Sequence, residues 1–223
     1  MADAQPRSRR TTVRRHPERG RYDRHTIEAI LDEALIGHLG VTTDGRPHVI
    51  PMMYARRGDS VYVHGAAANQ ALGALRQGAE ACLVVTLLDG LVMARSAFNH
   101  SMNYRSVVVI GKTREVSDAA EKMAAMEALL EHVARGRWQD TRHPSKAEFA
   151  STVILALKLD EASAKVRSGD PVDDPDDLVL IHWAGVIPMS VQPGPAIAAR
   201  DLATDIPTPS YARRYRRPGA GTD

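Results

Sequence analysis

The sequence predicts a mainly β fold with interspersed helices, arranged as an antiparallel barrel. Three observations carry this. Six or seven short runs rich in Val, Ile and Tyr recur along the chain. Most are joined by tight-turn signals such as Asp44-Gly45 and Gly58-Asp59. Three or four helical patterns are inserted between them. Strands adjacent in sequence and joined by hairpins favour an antiparallel barrel over a doubly wound parallel sheet.

The elements follow in order. Residues 1–20 are Arg-rich and aperiodic and form a basic N-terminal arm. In "TIEAILDEAL", Ile27, Ile30, Leu31 and Leu35 repeat at helical spacing, with Thr26 as the expected N-cap. "HLGVTTDGRPHVIPMMYARRGDSVYVHG" reads as three strands. Asp44-Gly45 suits a type I′ hairpin, whose two central residues need positive φ. The strand from His48 to Arg56 is largely apolar, which predicts cover on both faces, and Pro51 within it marks an edge, a bulge or a ligand's approach. "AAANQALGALRQG" reads as a short helix ended by Gly78. "EACLVVTLLDGLVMARSAF" reads as a second Asp-Gly hairpin, and "NYRSVVVIGKTREV" as one long strand. Asp118/Glu121 and Ser145/Glu148 are capping-box patterns ahead of two helices. "TVILALKLDEASAKV" is a strand and its exit, and "LVLIHWAGVIPMSV" is the last strand. Pro and Gly then make residues 192–223 an extended tail. The single folded domain spans 21–191.

Composition narrows the function classes. With 223 residues and 43% hydrophobic content, the chain can bury a real core. The lone Cys82, inside "ACLVVTLL", forms no internal disulfide and is read as structural. No apolar run reaches the roughly 20 residues that span a bilayer. No apolar h-region follows the charged N-terminus. A cytoplasmic protein without a membrane partner is expected. Residues 1–24 carry eight arginines against three acids, while 25–210 hold 17 basic against 23 acidic groups. Such an arm binds nucleic acid, folds back on its own acidic body or a partner subunit, or stays solvated. The acidic body and the lack of clustered aromatics argue against nucleic acid.

The chemical motifs are few. The nine histidines include no HExxH and no paired ligands, so no metal site is expected, although His48, His64 and His100 each lie near a strand end. No GxSxG, Walker A or GxGxxG occurs. "VYVHGAAANQALGAL" passes from a strand through His64-Gly65 into a helix start, where backbone amides and small residues favour an anion. The same pattern serves equally as a tight connection packed with small residues. "SAFNHSMNYRSVVVIGK" gathers His100, Tyr104, Arg105 and three serines without the spacing of a catalytic cluster. It reads as a polar lead into the strand Val107–Ile110.

These segments together resemble the pyridoxamine 5′-phosphate oxidase-like FMN-binding split-barrel proteins, in the subgroup of nitroimidazole-resistance proteins. The resemblance covers roughly 14–190. It is strongest in "LLDGLVMARSAFNHSMNYRSVVVIGK" and returns in "ASAKVRSGDPVDD" and "HWAGVIPM". It implies a six-stranded antiparallel split β-barrel with flanking helices, forming a homodimer with FMN at the subunit interface. Val49, Ile50, Pro51 and Met52 would line the isoalloxazine ring. His64, Gly65, Ala66 and Asn69 would face the ribityl phosphate, and Arg105 and Ser106 would approach from the same cleft. Ala66–Ala68 offer no side-chain donor, so the phosphate needs backbone amides and an arginine, with Arg105, Arg95 and Arg15 as candidates. The Arg-rich substrate motif of true pyridoxamine phosphate oxidases is missing near the C-terminus.

The implied activity is a flavin-dependent oxidoreductase, reduced by NAD(P)H and acting on a small organic acceptor such as a nitro compound or quinone. No side chain is expected as an obligatory acid or base. His64 would face substrate, and Trp183 would cover the flavin or sit in the core or interface. The alternative is a flavin carrier or sensor without turnover.

Overall fold

The computed structural model describes residues 8–217. Among these residues nine strands form one sheet: β1 (Gly20–Arg21), β2 (Ile36–Thr43), β3 (Arg46–Arg57), β4 (Ser60–Ala66), β5 (Glu80–Met93), β6 (Ser101–Glu115), β7 (Thr152–Lys158), β8 (Ala162–Arg167) and β9 (Gly185–Pro188). Six of them, β6-β7-β4-β3-β2-β5, close into a ring because β5 also pairs with β6. All pairings are antiparallel. The ring is split because β6 shares one edge, first with β8 and then with β7. β1 extends from β8, and β9 pairs with the end of β5.

Five described helices flank the ring: α1 (Arg24–Glu33), α2 (Gln70–Arg76), α3 (Ala119–Val133), α4 (Lys146–Ser151) and α5 (Ser210–Arg213). α1 buries Ile27, Ile30 and Leu31, its i, i+3, i+4 stripe. Its N-cap is Asp23, whose carboxylate accepts the Thr26 amide at 2.8 Å, so the expected Thr26 cap lies inside the helix. Ser145 and Glu148 form the full reciprocal box ahead of α4. Asp118 caps α3, but Glu121 turns away to Arg114 and Tyr62.

The Asp44-Gly45 hairpin forms as expected, with φ of 51° and 73°. The expected Asp89-Gly90 hairpin does not. β5 runs straight through it, and Asp89 is the extra residue of a bulge between Leu88 and Gly90. Neither residue has positive φ, since two long strands keep pairing on both sides of the bulge. The glycine serves another need: a Cβ at Gly90 would lie 2.9 Å from Val186 of β9. The predicted cover of both faces from His48 to Arg56 holds only at Tyr54–Ala55, which are both buried, while His48, Val49 and Pro51 are exposed. β3 pairs only with β2 up to Met53 and reaches β4 from Tyr54 onward. Pro51 therefore sits on a free edge, where its missing N–H leaves no gap in a ladder.

The barrel interior is filled by Leu39, Leu83, Val107, Val109, Leu155 and their neighbours. A smaller cluster, Tyr62, Val116, Ala125, Ile154 and Ala156, packs on the other face of β4 and β7. Tyr54 joins α1 to the barrel by donating to the Leu31 carbonyl at 2.5 Å. Leu155 is fully buried. Leu155→Ala should lower the unfolding free energy by about 2–5 kcal/mol in urea titration. A loss below about 1 kcal/mol would show that this part of the interior is not close-packed.

Candidate functional site

Side chains alternate across each strand, so the ring has an inner and an outer face. Leu39, Leu83, Val107 and Ala164 point inward. The register then lays an outer row across five strands: Ser163, Val108, Val84, His38 and Pro51. Beside it run Lys165, Ser106 and Thr86. Exposed apolar side chains, Ile36, Val49 and Leu88, lie on the same strands. Among the described residues, the cavities that open around this frame include the following three.

The first, about 220 Å³, lies between β3 and the start of α2 and includes His48, Ile50, Asn69 and Gln70. Here the structure brings together Ile50 and Asn69 from the expected flavin set. Val49 and Pro51 alternate to the outer side, and Met52 packs against the barrel core with Ile50. Asn69 caps α2, its side-chain oxygen accepting the Leu72 amide at 3.2 Å. Gly65 has a packing reason, since a Cβ there would meet Leu72 Cδ1 at 2.6 Å. Ala66 is exposed at the end of β4, opposite Thr152. His64 alternates to the face of Tyr62, away from Gly65. Its Nδ1 is buried with no hydrogen-bond partner among the described residues.

The second cavity, about 320 Å³, closes the end of the barrel between Glu33, Asp89 and Arg105 and the C-terminal residues Tyr215–Arg217. Arg105 is held by two carboxylates. It donates to both oxygens of Asp89 at 2.8 and 3.0 Å and to both oxygens of Glu33. The bonds to Asp89 and then Glu33 raise its pKa above the ordinary arginine value. Arg217 closes over this node by donating to the Glu33 carbonyl at 3.0 Å. Arg95 is similarly engaged, donating to Asp173 at 2.8 Å. Neither Glu33 nor Asp89 could be singled out from the sequence, because only the bulge and the end of α1 bring them to Arg105.

The third cavity, about 270 Å³, lies on the outer face under the N-terminal arm. Ser106 lines it, on the opposite face of β6 from Arg105, so the two expected cofactor residues do not share a cleft. Arg14, Arg15 and Lys165 also line it. Of the three arginines suggested by the sequence, Arg15 alone makes no ion pair among the described residues. Lys165 and Ser163, which "ASAKVR" carries two residues apart on one strand face, were legible only as part of a resemblance.

His100 Nδ1 bonds the Ser96 carbonyl at 2.9 Å, and Asn103 donates to the Gly169 carbonyl at 3.1 Å, so both brace the chain locally. Trp183 is 66% exposed and outside the core. Burial raises the Cys82 thiol pKa. Among the described residues no group of three or more His, Cys, Asp or Glu side chains could hold a metal ion. No described helix is long and apolar enough to cross a membrane.

A six-strand ring split along one strand, with cavities at its outer face and ends, defines a split β-barrel. The chain belongs to the pyridoxamine 5′-phosphate oxidase family, whose model matches residues 23–166. It is similar to the flavocytochrome Anf3 from Azotobacter vinelandii, with 38% identity, 95% of this chain and 99% of that one covered, and a TM-score of 0.89. A FAD and heme binding protein from Mycobacterium smegmatis shares 34% identity over 87% of this chain and 96% of its own, with a TM-score of 0.84. A candidate 5-nitroimidazole antibiotic resistance protein from Bacteroides thetaiotaomicron, at 23% identity, covers 65% of this chain and 84% of its own with a TM-score of 0.55, a likeness of fold. No curated protein matches the chain.

Two measurements follow from this geometry. Arg105→Gln leaves two carboxylates facing each other and should destabilise the protein by about 1–3 kcal/mol in urea titration. Unchanged stability with weakened flavin binding would instead make Arg105 a ligand. Burial lowers the pKa of His64, and of His132 despite the bond between its Nε2 and the Ala34 carbonyl. The unfolded chain then binds protons more readily, so stability is full above the unfolded pKa of about 6.5 and falls as pH drops below it. Unfolding free energy should be lower at pH 5.5 than at pH 7.5, and a His64→Gln/His132→Gln variant should flatten that difference. Equal slopes in both proteins would refute the assignment.

Proposed function

We propose that this chain is a flavin-binding redox protein with haem as its second group. The similarity that runs the length of the chain to a flavocytochrome carries this reading. A second relative, named for FAD and heme, supports it. The resemblance in sequence points to FMN, whereas that second relative points to FAD.

The residues present fit both groups. Val49, Ile36 and Leu88 offer exposed apolar surface for a flat ring. Arg14, Arg15 and Lys165 offer cations to a phosphate. His38 and His48 are exposed imidazoles without a hydrogen-bond partner among the described residues, the ligand type that haem iron takes. A bound flavin supplies hydride and electron transfer, and the protein supplies position and electrostatics.

The site reading keeps the expected set apart from Arg105, whose guanidinium is engaged by Asp89 and Glu33. Val49, Ile50, Pro51 and Met52 form the strand beside the ring, with His64, Gly65, Ala66 and Asn69 near the mouth and Ser106 on the outer face. The exposed apolar strip is the surface for a second copy, which would complete a site shared between subunits. The activity is an oxidoreductase acting on a small organic acceptor such as a nitro compound or quinone.

One preparation tests the reading. Its visible spectrum should show flavin bands and a Soret band, NADPH or NADH should bleach the flavin, and a quinone or nitro compound should restore it. A colourless protein that does not quench added flavin overturns the proposal. Bound flavin that no donor reduces favours a carrier or sensor. Elution at the mass of one chain at micromolar concentration overturns the dimer.

A further inference from the structure

The cavity at the barrel end carries a charge that its own residues do not balance. It lies between the exit of β9, Met189–Pro193, and the segment Tyr215–Arg217. Its volume, about 320 Å³, is at the small end of ligand pockets. Leu87 and Arg105 are partners in the register of β5 and β6, so both lie on the inner face. The floor of the cavity is therefore where the apolar interior gives way to charge. The charged wall holds three cations, Arg105, Arg216 and Arg217, against two carboxylates, Glu33 and Asp89. Arg105 engages both carboxylates. Arg217 uses one donor, its Nε–H, on the Glu33 backbone carbonyl at 3.0 Å, which carries no full charge. Its two terminal nitrogens and the whole Arg216 guanidinium meet no acceptor among the described residues. One positive charge is left over, on side chains with forked donors. The opposite wall, from Met189, Val191 and Pro193, is apolar.

We propose that this cavity binds a small monocarboxylate with an apolar body. The carboxylate sits on the free donors of Arg216 and Arg217, and the body lies against Met189 and Val191. The site does not rest on the flavin reading. Charge and surface set the class of ligand. A polyanion brings surplus negative charge beside Glu33 and Asp89 and is repelled. An uncharged molecule takes water from the guanidinium donors and returns no charged acceptor. A carboxylate without a body leaves Met189 and Val191, 41% and 70% exposed, in water.

Calorimetric titration of the full chain with octanoate tests the site. Wild type should bind it, while 1-octanol, octanedioate and acetate should each bind at least about tenfold more weakly. An Arg216→Gln/Arg217→Gln variant should lose at least about tenfold in octanoate affinity. Arg216→Lys/Arg217→Lys should recover most of that loss, because it restores the charge without the Nε–H that holds the Glu33 carbonyl. Octanoate that does not bind wild type overturns the proposal. Equal binding to wild type and the glutamine variant also overturns it, since octanoate then lies on exposed apolar side chains elsewhere. A lysine variant that recovers nothing makes Arg217 a brace for the chain and sinks the site. Octanol binding as tightly as octanoate overturns the carboxylate, tighter binding of octanedioate overturns the single charge, and equal binding of acetate overturns the apolar body.

Discussion

The pairing of β5 with β6 is the constraint on which the rest depends. It runs from Glu80 opposite Lys112 to Val92 opposite Ser101 and closes the six-strand ring. A closed ring leaves few free sheet edges, the stretch of β3 around Pro51 among them, and sets inward side chains against one another. The bulge at Asp89 keeps that ladder intact past the barrel end. It also turns a carboxylate toward Arg105, which ties β5, β6 and α1 into one node through Glu33. Gly90, one residue on, lets β9 pack against the same strand.

The two faces of the ring divide the work. The inner face is apolar and excludes water, and it is the main source of stability. The outer face mixes Val84, Val108 and Val49 with Thr86, Ser106 and Lys165. Because neighbours on a strand point to opposite faces, Arg105 and Ser106 belong to different environments although they are joined by one peptide bond. The first braces the barrel end, and the second lines the cavity on the outside.

The described segments near both termini, 8–15 and 210–217, fold onto an acidic body. Arg10 reaches Glu80 and Glu161, and Arg217 reaches the end of α1. Tyr211 is gripped between Arg137 and Asp140 at 2.7 and 2.5 Å. The charge asymmetry along the sequence thus acts within the molecule, and the cations it leaves over gather where the arm crosses β8.

Local signals were reliable wherever a local interaction decides the outcome. Asp44-Gly45 made its hairpin because positive φ is a property of two residues, and the stripe of α1 was legible from spacing. The antiparallel barrel and its family were legible from several segments in one order. Asp89-Gly90 misled because the same dipeptide serves a bulge when the stretches on both sides of it pair with the next strand, β6, as one continuous ladder. The site divides in the same way. The chain by itself determined most of the strands, the Asp44-Gly45 turn and the basic arm, and the resemblance it carries made Arg15 a candidate for phosphate. Only the tertiary structure decided that Arg105 is engaged by Glu33 and Asp89 while Arg15 stands beside Lys165, because face and partner are set by ring closure between residues distant in sequence.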